Sequence, residues 1–241
     1  MEKIIGRIFY GVAIAAIGLL TIYYRDFPYM LIPQKHPWLS DHVPLVYLSG
    51  ALLFLVGVCI VFVIRLPPVS LLLGIVLLLI FCFYFIPYEL ASPNHMHFGE
   101  WENAAKELAL AGGAFVLWRK SMPLGMVLYS LTIISFGVDH FMYGREAIGY
   151  MPSWVSHPLF WMYFCGAALL GSGIGILFKI WREWMAMLLG TMIFIWVIIL
   201  HIPRVVAAPN AGEISSAFIA LAYCGTAFVI AGAGATGKKT D

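Results

Sequence analysis

The sequence has few charged residues, and this shortage excludes several classes of protein. Charged side chains make up 11% of the 241 residues, against 62% that are hydrophobic, whereas soluble globular domains carry about 25% charged and about 45–50% apolar residues. The net charge is only +2 and no basic stripe stands out, so a nucleic-acid partner is not expected. Soluble domains and disordered chains are excluded as well, which leaves an integral membrane protein embedded in a lipid bilayer.

Cysteine is also scarce, and the four that are present stand apart from one another. No C-x-x-C motif or adjacent pair occurs, so a dithiol relay within this chain is not expected. All four lie in apolar runs and are predicted to be small buried side chains: Cys59, Cys82, Cys165 and Cys224.

Long apolar runs dominate the sequence instead. One crossing takes about 20 residues, and eight runs approach or reach that length: 8–24, 44–64, 69–88, 103–118, 124–143, 158–179, 184–203 and 214–234. The first run ends in tyrosines and charges rather than in small residues, so we expect it to be retained as a span. The predicted fold is an all-α integral membrane protein with eight transmembrane helices.

Prolines, charges and small residues give the spans their individual features. Pro87 and Pro203 are predicted to close the third and seventh spans, because proline lacks the N–H that a helix needs. The fourth span begins with charged residues, so its first turns must lie at a wet rim or inside the bundle. Small residues are expected where helices approach closely, among them Gly112, Gly171 and Gly225.

The two halves of the sequence resemble each other. Residues 86–94 align with residues 202–210 at a shift of 116, and other segments align at shifts of 119 and 113. We therefore predict two tandem four-helix units, 1–121 and 122–241. Because each unit crosses the membrane an even number of times, both have the same orientation, which makes them parallel repeats.

Charge distinguishes the two ends of the predicted bundle. The end with the N-terminus, the loops after spans two, four and six and the C-terminus carries nine of the 14 basic residues, which predicts that it faces the cytoplasm. We expect a multi-pass protein of the plasma (inner) membrane with both termini cytoplasmic. The outer end carries nine of the 12 acidic residues and all seven histidines: His36, His42, His95, His97, His140, His157 and His201.

Asp139 and His140 are the sharpest candidates for chemistry at the outer end. An ionisable group that faces lipid costs about 2.5–3.5 kcal/mol on insertion scales, so both side chains need partners. Phe136, Asp139, His140 and Tyr143 fall at i, i+3, i+4 and i+7 of one helix face. The carboxylate, the imidazole and the phenol are therefore predicted to line a single cavity.

A second candidate set lies at the outer end of the seventh span. His201 and Arg204 are three residues apart around Pro203, and with Asp139 and His140 they form the predicted catalytic set. A quinone head group suits these side chains, because imidazole and carboxylate can exchange protons with it as electrons move.

A third set combines the start of the fourth span with a glutamate before it. Glu100, Asn103 and Glu107 would share a helix face, and Glu102 would pair with Lys106 at i+4. Together with Tyr143 this set is assigned to the binding of a cofactor: Glu89, Glu100, Asn103, Lys106 and Glu107.

Other interpretations of these residues stay open. Asp139 or a glutamate can neutralise Arg204, with His140 hydrogen-bonded between them, so that the set forms a structural ion network. Two imidazoles and a carboxylate also suit iron, zinc or copper, although the spacing is not a metal motif. Two histidines at similar depth can ligate a haem. The cofactor is thus left open, with quinone favoured over haem or metal.

Motifs in both halves of the sequence resemble the DoxX family of small four-span membrane proteins, here as two fused units. The similarity rests on Gly137-Val138-Asp139-His140-Phe141, on His201-Ile202-Pro203-Arg204 and on residues 101–113. The family is named for a subunit of a quinol-linked oxidase and thiosulfate:quinone oxidoreductase, and some relatives act as membrane assembly factors. The resemblance implies a redox component near the quinone pool and carries no catalytic set across.

The predicted function is that of a quinone-linked redox component with a polar site at its outer end, working with a membrane or periplasmic redox partner protein. Whether the chain is itself an enzyme is left open. The alternative is a non-enzymatic chaperone, receptor or accessory subunit, which the lack of a strong catalytic motif favours. A small-solute transporter ranks last, because the ionisable groups lie near one rim and the repeats are parallel.

Overall fold

The computed structural model describes residues 1–29, 31–32 and 42–234 of the chain, and throughout these ranges the regular structure is helical. His36 lies outside the described residues. Within the described ranges, three short helical segments occupy the outer loops: Phe98–Trp101, Gly144–Ala147 and Ile148–Tyr150. The eight long helices are α1 (Glu2–Tyr24), α2 (Val43–Val61), α3 (Leu66–Ala91), α4 (Glu102–Val116), α5 (Met122–Met142), α6 (Pro158–Leu177), α7 (Arg182–Ala207) and α8 (Ala211–Gly234).

Seven of these helices, all except α4, are long and apolar enough to cross a bilayer. The chain is therefore a multi-pass helical membrane protein, as the composition predicts. Helix α4 has 15 residues, about 22 Å at 1.5 Å per residue, against a hydrocarbon core of about 30 Å. Every residue from Ala109 to Val116 is buried, so this part of α4 is surrounded by other helices rather than by lipid. The charged residues at the start of α4 precede this stretch, and Glu102 there is 50% exposed and paired with Lys106.

The prolines of α3 and α7 do not end these helices, contrary to the expectation from sequence. Both helices continue four residues past the proline, to Ala91 and Ala207. Each widens into a π-helical turn just before it, over Phe81–Phe85 in α3 and Val197–His201 in α7. Because a proline ring clashes with the carbonyl group four residues earlier, a wider turn lets the helix pass the ring and continue.

The helices pack in a closed ring. Each packs against the next along the chain, α1 closes the ring by packing against α8, and α4 also packs against α8 across the middle. If the chain is divided after α4, the contacts α1–α8 and α4–α5 join the two halves. Both belong to the extensive helix contacts of the molecule, so the halves form one continuous bundle.

Glycines allow the helices of these joining contacts to touch backbone to backbone. A Cβ atom on Gly225 would lie 2.5 Å from the carbonyl oxygen of Gly6, and one on Gly125 would lie 2.5 Å from that of Gly112. The prediction of close approach is thus confirmed for Gly112 and Gly225. It is wrong for Gly171, where a Cβ atom would meet nothing within 4 Å.

The α2–α3 and α6–α7 turns have the same backbone conformation. Positive φ angles occur at Val63 and Arg65 in the first turn, 62° and 44°, and at Lys179 and Trp181 in the second, 62° and 46°. These positions correspond at a shift of 116 residues. None of the four is a glycine, so each turn holds L-residues in the left-handed region that such residues rarely adopt.

Candidate functional site

Lys106 stands at the centre of the polar residues at the outer end of the bundle. Its ammonium group forms a salt bridge of 2.7 Å with Glu102 Oε1 and donates a hydrogen bond of 3.4 Å to Asn103 Oδ1. The i,i+4 pair predicted between Glu102 and Lys106 is therefore confirmed. Tyr223 of α8 donates its hydroxyl to the Lys106 carbonyl oxygen at 2.9 Å, which ties this turn of α4 to the second half.

Asp139 faces this turn of α4 from the end of α5. Its carboxyl group interacts electrostatically with both Glu102 and Lys106. Both carboxyl oxygens are buried, and neither has a hydrogen-bond partner among the residues that the structure describes. Buried polar atoms in proteins are nearly always hydrogen-bonded, so an unpartnered carboxyl group requires an explanation.

His201 of α7 also lies close enough to Lys106 to interact with it electrostatically. It is the last residue of the π-helical turn in α7, and it interacts electrostatically with Arg204, Glu213 and Lys106. Its Nδ1 atom is buried and has no hydrogen-bond partner within the described chain. Because π-helical turns recur at functional sites, the placement of His201 at the end of one is consistent with a role in binding.

Arg204 is held by α8 rather than by Asp139. Its Nε and Nη2 atoms donate hydrogen bonds of 2.9 and 2.5 Å to the two carboxylate oxygens of Glu213. The guanidinium carbon also lies 4.8 Å from the centre of the Tyr150 ring. This bidentate pair neutralises the arginine, so Asp139 is not needed as its counter-ion and is available to other groups.

The three polar residues of the predicted α5 face have different neighbours. His140 Nδ1 donates a hydrogen bond of 2.7 Å to the Phe136 carbonyl oxygen, and its ring stacks on Trp196 of α7 with centroids 6.1 Å apart. Tyr143 instead stacks on His97 at 4.7 Å. Asp139 thus interacts electrostatically with α4, whereas His140 stacks on α7 and Tyr143 stacks on the α3–α4 loop.

Glu89 and Glu100 belong to a second outer cluster, in the first half of the chain. Glu89 is 2% exposed and interacts electrostatically with Glu100. Burial of the Tyr29 hydroxyl, its hydrogen bond with Tyr88 and the two nearby carboxyl groups raise the pKa of Tyr29 to about 12. The predicted cofactor-binding set is therefore divided, with Glu89 and Glu100 in this cluster and Asn103 and Lys106 beside Asp139.

Glu107 lies deeper than any other residue of the predicted set. It is 0% exposed, and neither carboxyl oxygen has a hydrogen-bond partner in the described residues. Tyr10 and Tyr223 are close enough to interact with it electrostatically. Their hydroxyl groups are engaged elsewhere, however, because they donate to the carbonyl oxygens of Leu110 and Lys106.

Sequence reasoning missed several residues of these clusters as site residues, among them Glu213, Tyr223 and Trp196. Glu213 could have been identified from the sequence, because it aligns with Glu100, a predicted site residue, at a shift of 113. Tyr223 and Trp196 carried little signal, because aromatic residues in apolar spans are common. No group of three potential metal ligands occurs among the described residues.

The comparisons with known proteins do not extend this description. No family model, no curated protein and no solved structure matches the chain.

Proposed function

We propose that this multi-pass membrane protein binds a quinone head group at its outer end and acts as a quinone-linked redox component. One observation carries the proposal: two buried and unpartnered groups, the Asp139 carboxyl and His201 Nδ1, both interact with Lys106. A ligand with two polar groups would complete their hydrogen bonds and so account for two buried groups that lack partners within the described chain.

The chemistry of a quinone matches these three groups. The Lys106 ammonium can donate to a quinone carbonyl oxygen, whereas the Asp139 carboxylate and the His201 imidazole can accept the hydroxyl protons of the quinol. Reduction of the quinone takes up two electrons and two protons. In this proposal the electrons come from a membrane or periplasmic redox partner protein, and the side chains of the site exchange the protons. Arg204, paired with Glu213, positions His201, while His140 supports the site through Trp196.

Binding of a short-chain ubiquinone with one isoprenoid unit tests the proposal. The purified protein is titrated in detergent, and quenching of tryptophan fluorescence gives Kd, since Trp196 lies beside His140. Asp139→Asn and Lys106→Gln are each expected to raise Kd about tenfold, equivalent to about 1.4 kcal/mol. Glu183→Gln, at the other end of the bundle, is the control and should leave Kd within twofold.

Absence of saturable quenching in the unaltered protein would overturn the proposal, as would an equal loss in Glu183→Gln. In that case the alternative function, that of an accessory subunit, would be favoured. Purification from the native membrane at endogenous expression would test this alternative. A partner at fixed stoichiometry supports that alternative, and repeated purification of the chain alone contradicts it.

We further infer that the chain is a tandem duplication of a DoxX-like four-helix unit. We also infer that α4 crosses the membrane, which brings the number of crossings to eight. The π-helical turn of α3 recurs in α7, and the α2–α3 turn recurs between α6 and α7, both at a shift of 116 residues. The outer clusters also correspond, since Tyr88 and Glu100 align with Arg204 and Glu213. Helix α4 reaches from the outer cluster to the inner end, where Leu117 shares a cavity with Lys3 of α1.

The proposed orientation has both termini in the cytoplasm of a cell with an inner membrane. It is supported by the basic residues at the inner end, as positive charge is retained on the cytoplasmic side. Single cysteines at Lys120 and His95, in a background where the native cysteines are replaced, test it in intact cells. A membrane-impermeant maleimide is expected to label His95→Cys and to spare Lys120→Cys, and the reverse labelling would contradict the orientation.

A further inference from the structure

We propose that the inner end of α1 is a binding site for an anionic phospholipid, whose phosphate group lies between Lys3 and Arg7. This inference does not rest on the quinone proposal, since the two sites lie at opposite ends of the bundle.

A cavity of about 280 Å³ provides the space for the head group. It lies where the start of α1, the α2–α3 turn and the inner ends of α4 and α8 meet. Most of its wall is apolar, formed by Ile4, Leu66 and Val229 among others, and its charged lining residues are Lys3 and Arg7. An apolar wall beside two cations matches a lipid, which joins an anionic head group to hydrocarbon chains.

The two cations have no carboxylate partner in the part of the chain that the structure describes. Arg7 Nη1 donates a hydrogen bond of 3.2 Å to the Ile60 carbonyl oxygen, which fixes the guanidinium group and leaves its other N–H groups for a ligand. Glu2, the nearest acidic residue in sequence, lies 3.4 Å from the N-terminal amine. A phosphate would therefore supply charge that the protein itself does not.

The surroundings of the cavity favour an anionic lipid over a zwitterionic one. The described inner end carries two acidic side chains, Glu2 and Glu183, and seven basic ones: Lys3, Arg7, Arg65, Arg119, Lys120, Lys179 and Arg182. The positive ammonium of a choline head group would be repelled by this charge, whereas phosphatidylglycerol adds none. Basic pockets between helices on the cytoplasmic side bind anionic head groups in other membrane proteins.

The corresponding place in the second half has a different arrangement of side chains. Met126 aligns with Arg7 at a shift of 119, and Arg182 aligns with Leu66 at a shift of 116. The Arg182 guanidinium reaches the methionine, with Nη1 3.9 Å from Sδ. In the second half the cation thus comes from the other helix and lies beside the methionine, so we expect the paired cations of Lys3 and Arg7 to form one such site per chain.

Native mass spectrometry of the detergent-solubilised protein tests the site. The full chain is titrated with dioleoylphosphatidylglycerol or dioleoylphosphatidylcholine, and the number of retained lipids is counted. One phosphatidylglycerol should bind with an affinity at least tenfold higher than phosphatidylcholine. Lys3→Gln/Arg7→Gln should abolish that preference, and Leu66→Trp, which fills the cavity without changing charge, should lower the occupancy at least fivefold.

The matched control is Lys120→Gln/Lys179→Gln, which removes the same charge from the same end and should keep the preference within twofold. The proposal would be overturned if the two double variants lost the preference for phosphatidylglycerol equally, or if the unaltered protein showed no such preference. General surface charge would then explain the binding of anionic lipid. If Lys3→Gln/Arg7→Gln does not fold, the test uses Lys3→Gln and Leu66→Trp instead.

A competition experiment distinguishes a lipid from a free phosphate ester. Glycerol 3-phosphate is added as a competitor, and displacement of the lipid at micromolar concentration would show that a free phosphate ester is the ligand and would contradict the lipid assignment.

Discussion

The hydroxyl group of Tyr129 donates a hydrogen bond of 2.8 Å to the carbonyl oxygen of Tyr223, and the two rings meet edge to face with centroids 6.3 Å apart. The contact joins α5 to α8. Tyr10, which aligns with Tyr129 at a shift of 119, makes the same kind of contact from α1 to α4, with its hydroxyl 2.6 Å from the Leu110 carbonyl oxygen. Each half thus uses one buried tyrosine to hold its first helix against its last.

Replacing either tyrosine with phenylalanine should destabilise the bundle modestly. Each loses one buried hydrogen bond, worth about 1 kcal/mol in proteins and about 0.6 kcal/mol on average between membrane helices. Thermal unfolding in detergent should therefore show lower midpoints for Tyr10→Phe and for Tyr129→Phe. Tyr23→Phe is the control, since Tyr23 is 78% exposed, and an equal fall in that variant would contradict the assigned role of the buried pair.

Alanine at the joining glycines should be more damaging than the loss of a hydroxyl. Gly225→Ala and Gly125→Ala would each place a methyl group 2.5 Å from a carbonyl oxygen of the facing helix, so the helices must separate, at a cost of about 1–3 kcal/mol as for other overpacked sites. Gly171→Ala is the matched control, because its methyl group meets nothing and alanine is the better helix former. The midpoint should fall for the first two variants and hold or rise for the third; the reverse order would refute the close contact.

The sequence predicts the helices and the polar end of this molecule better than it predicts contacts between helices. Hydrophobic run lengths locate the spans, and the i,i+4 spacing predicts the Glu102–Lys106 pair, because both depend on one helix alone. The partner of Arg204 is on another helix, and spacing along the chain does not encode which faces meet. For the same reason the shared face of Asp139 and His140 did not predict that the two side chains turn to different helices.

Proline shows a second limit of prediction from sequence. Its missing N–H and its ring make it a helix terminator in local terms, and on that basis Pro203 was expected to end its span. A π-helical turn before the ring lets α7 continue, which carries Arg204 to Glu213 of α8. Local sequence rules describe where an isolated helix tends to end. Whether α7 continues past Pro203 also depends on its contacts with neighbouring helices.

The Arg204–Glu213 pair should behave as a coupled structural contact. Both side chains are partly buried, at 33% and 21% exposure, and hydrogen bonds to charged groups contribute about 1.5–3 kcal/mol. Arg204→Gln and Glu213→Gln should each lower stability, and the double variant should lose no more than the worse single one, which gives a coupling free energy near the value of the pair. Chemical denaturation of the four proteins measures it, and additive losses would show that the two residues act separately.

Substitution of Glu107 distinguishes a structural role of a buried carboxyl group from a functional one. Burying a carboxyl group without partners is costly at pH 8, because the group must either carry its charge into an apolar site or take up a proton from neutral solution. Glu107→Gln, which keeps the shape and removes the ionisable group, should therefore raise the thermal midpoint in detergent at pH 8. Glu102→Gln is the control, because Glu102 is 50% exposed and pairs with Lys106; it should leave the midpoint unchanged or slightly lower. A protein that is stabilised by Glu107→Gln yet loses its quinone response would show that the chain keeps this carboxyl group for its chemistry at the expense of stability. A lower midpoint in Glu107→Gln would instead mean that the carboxyl group contributes to folding.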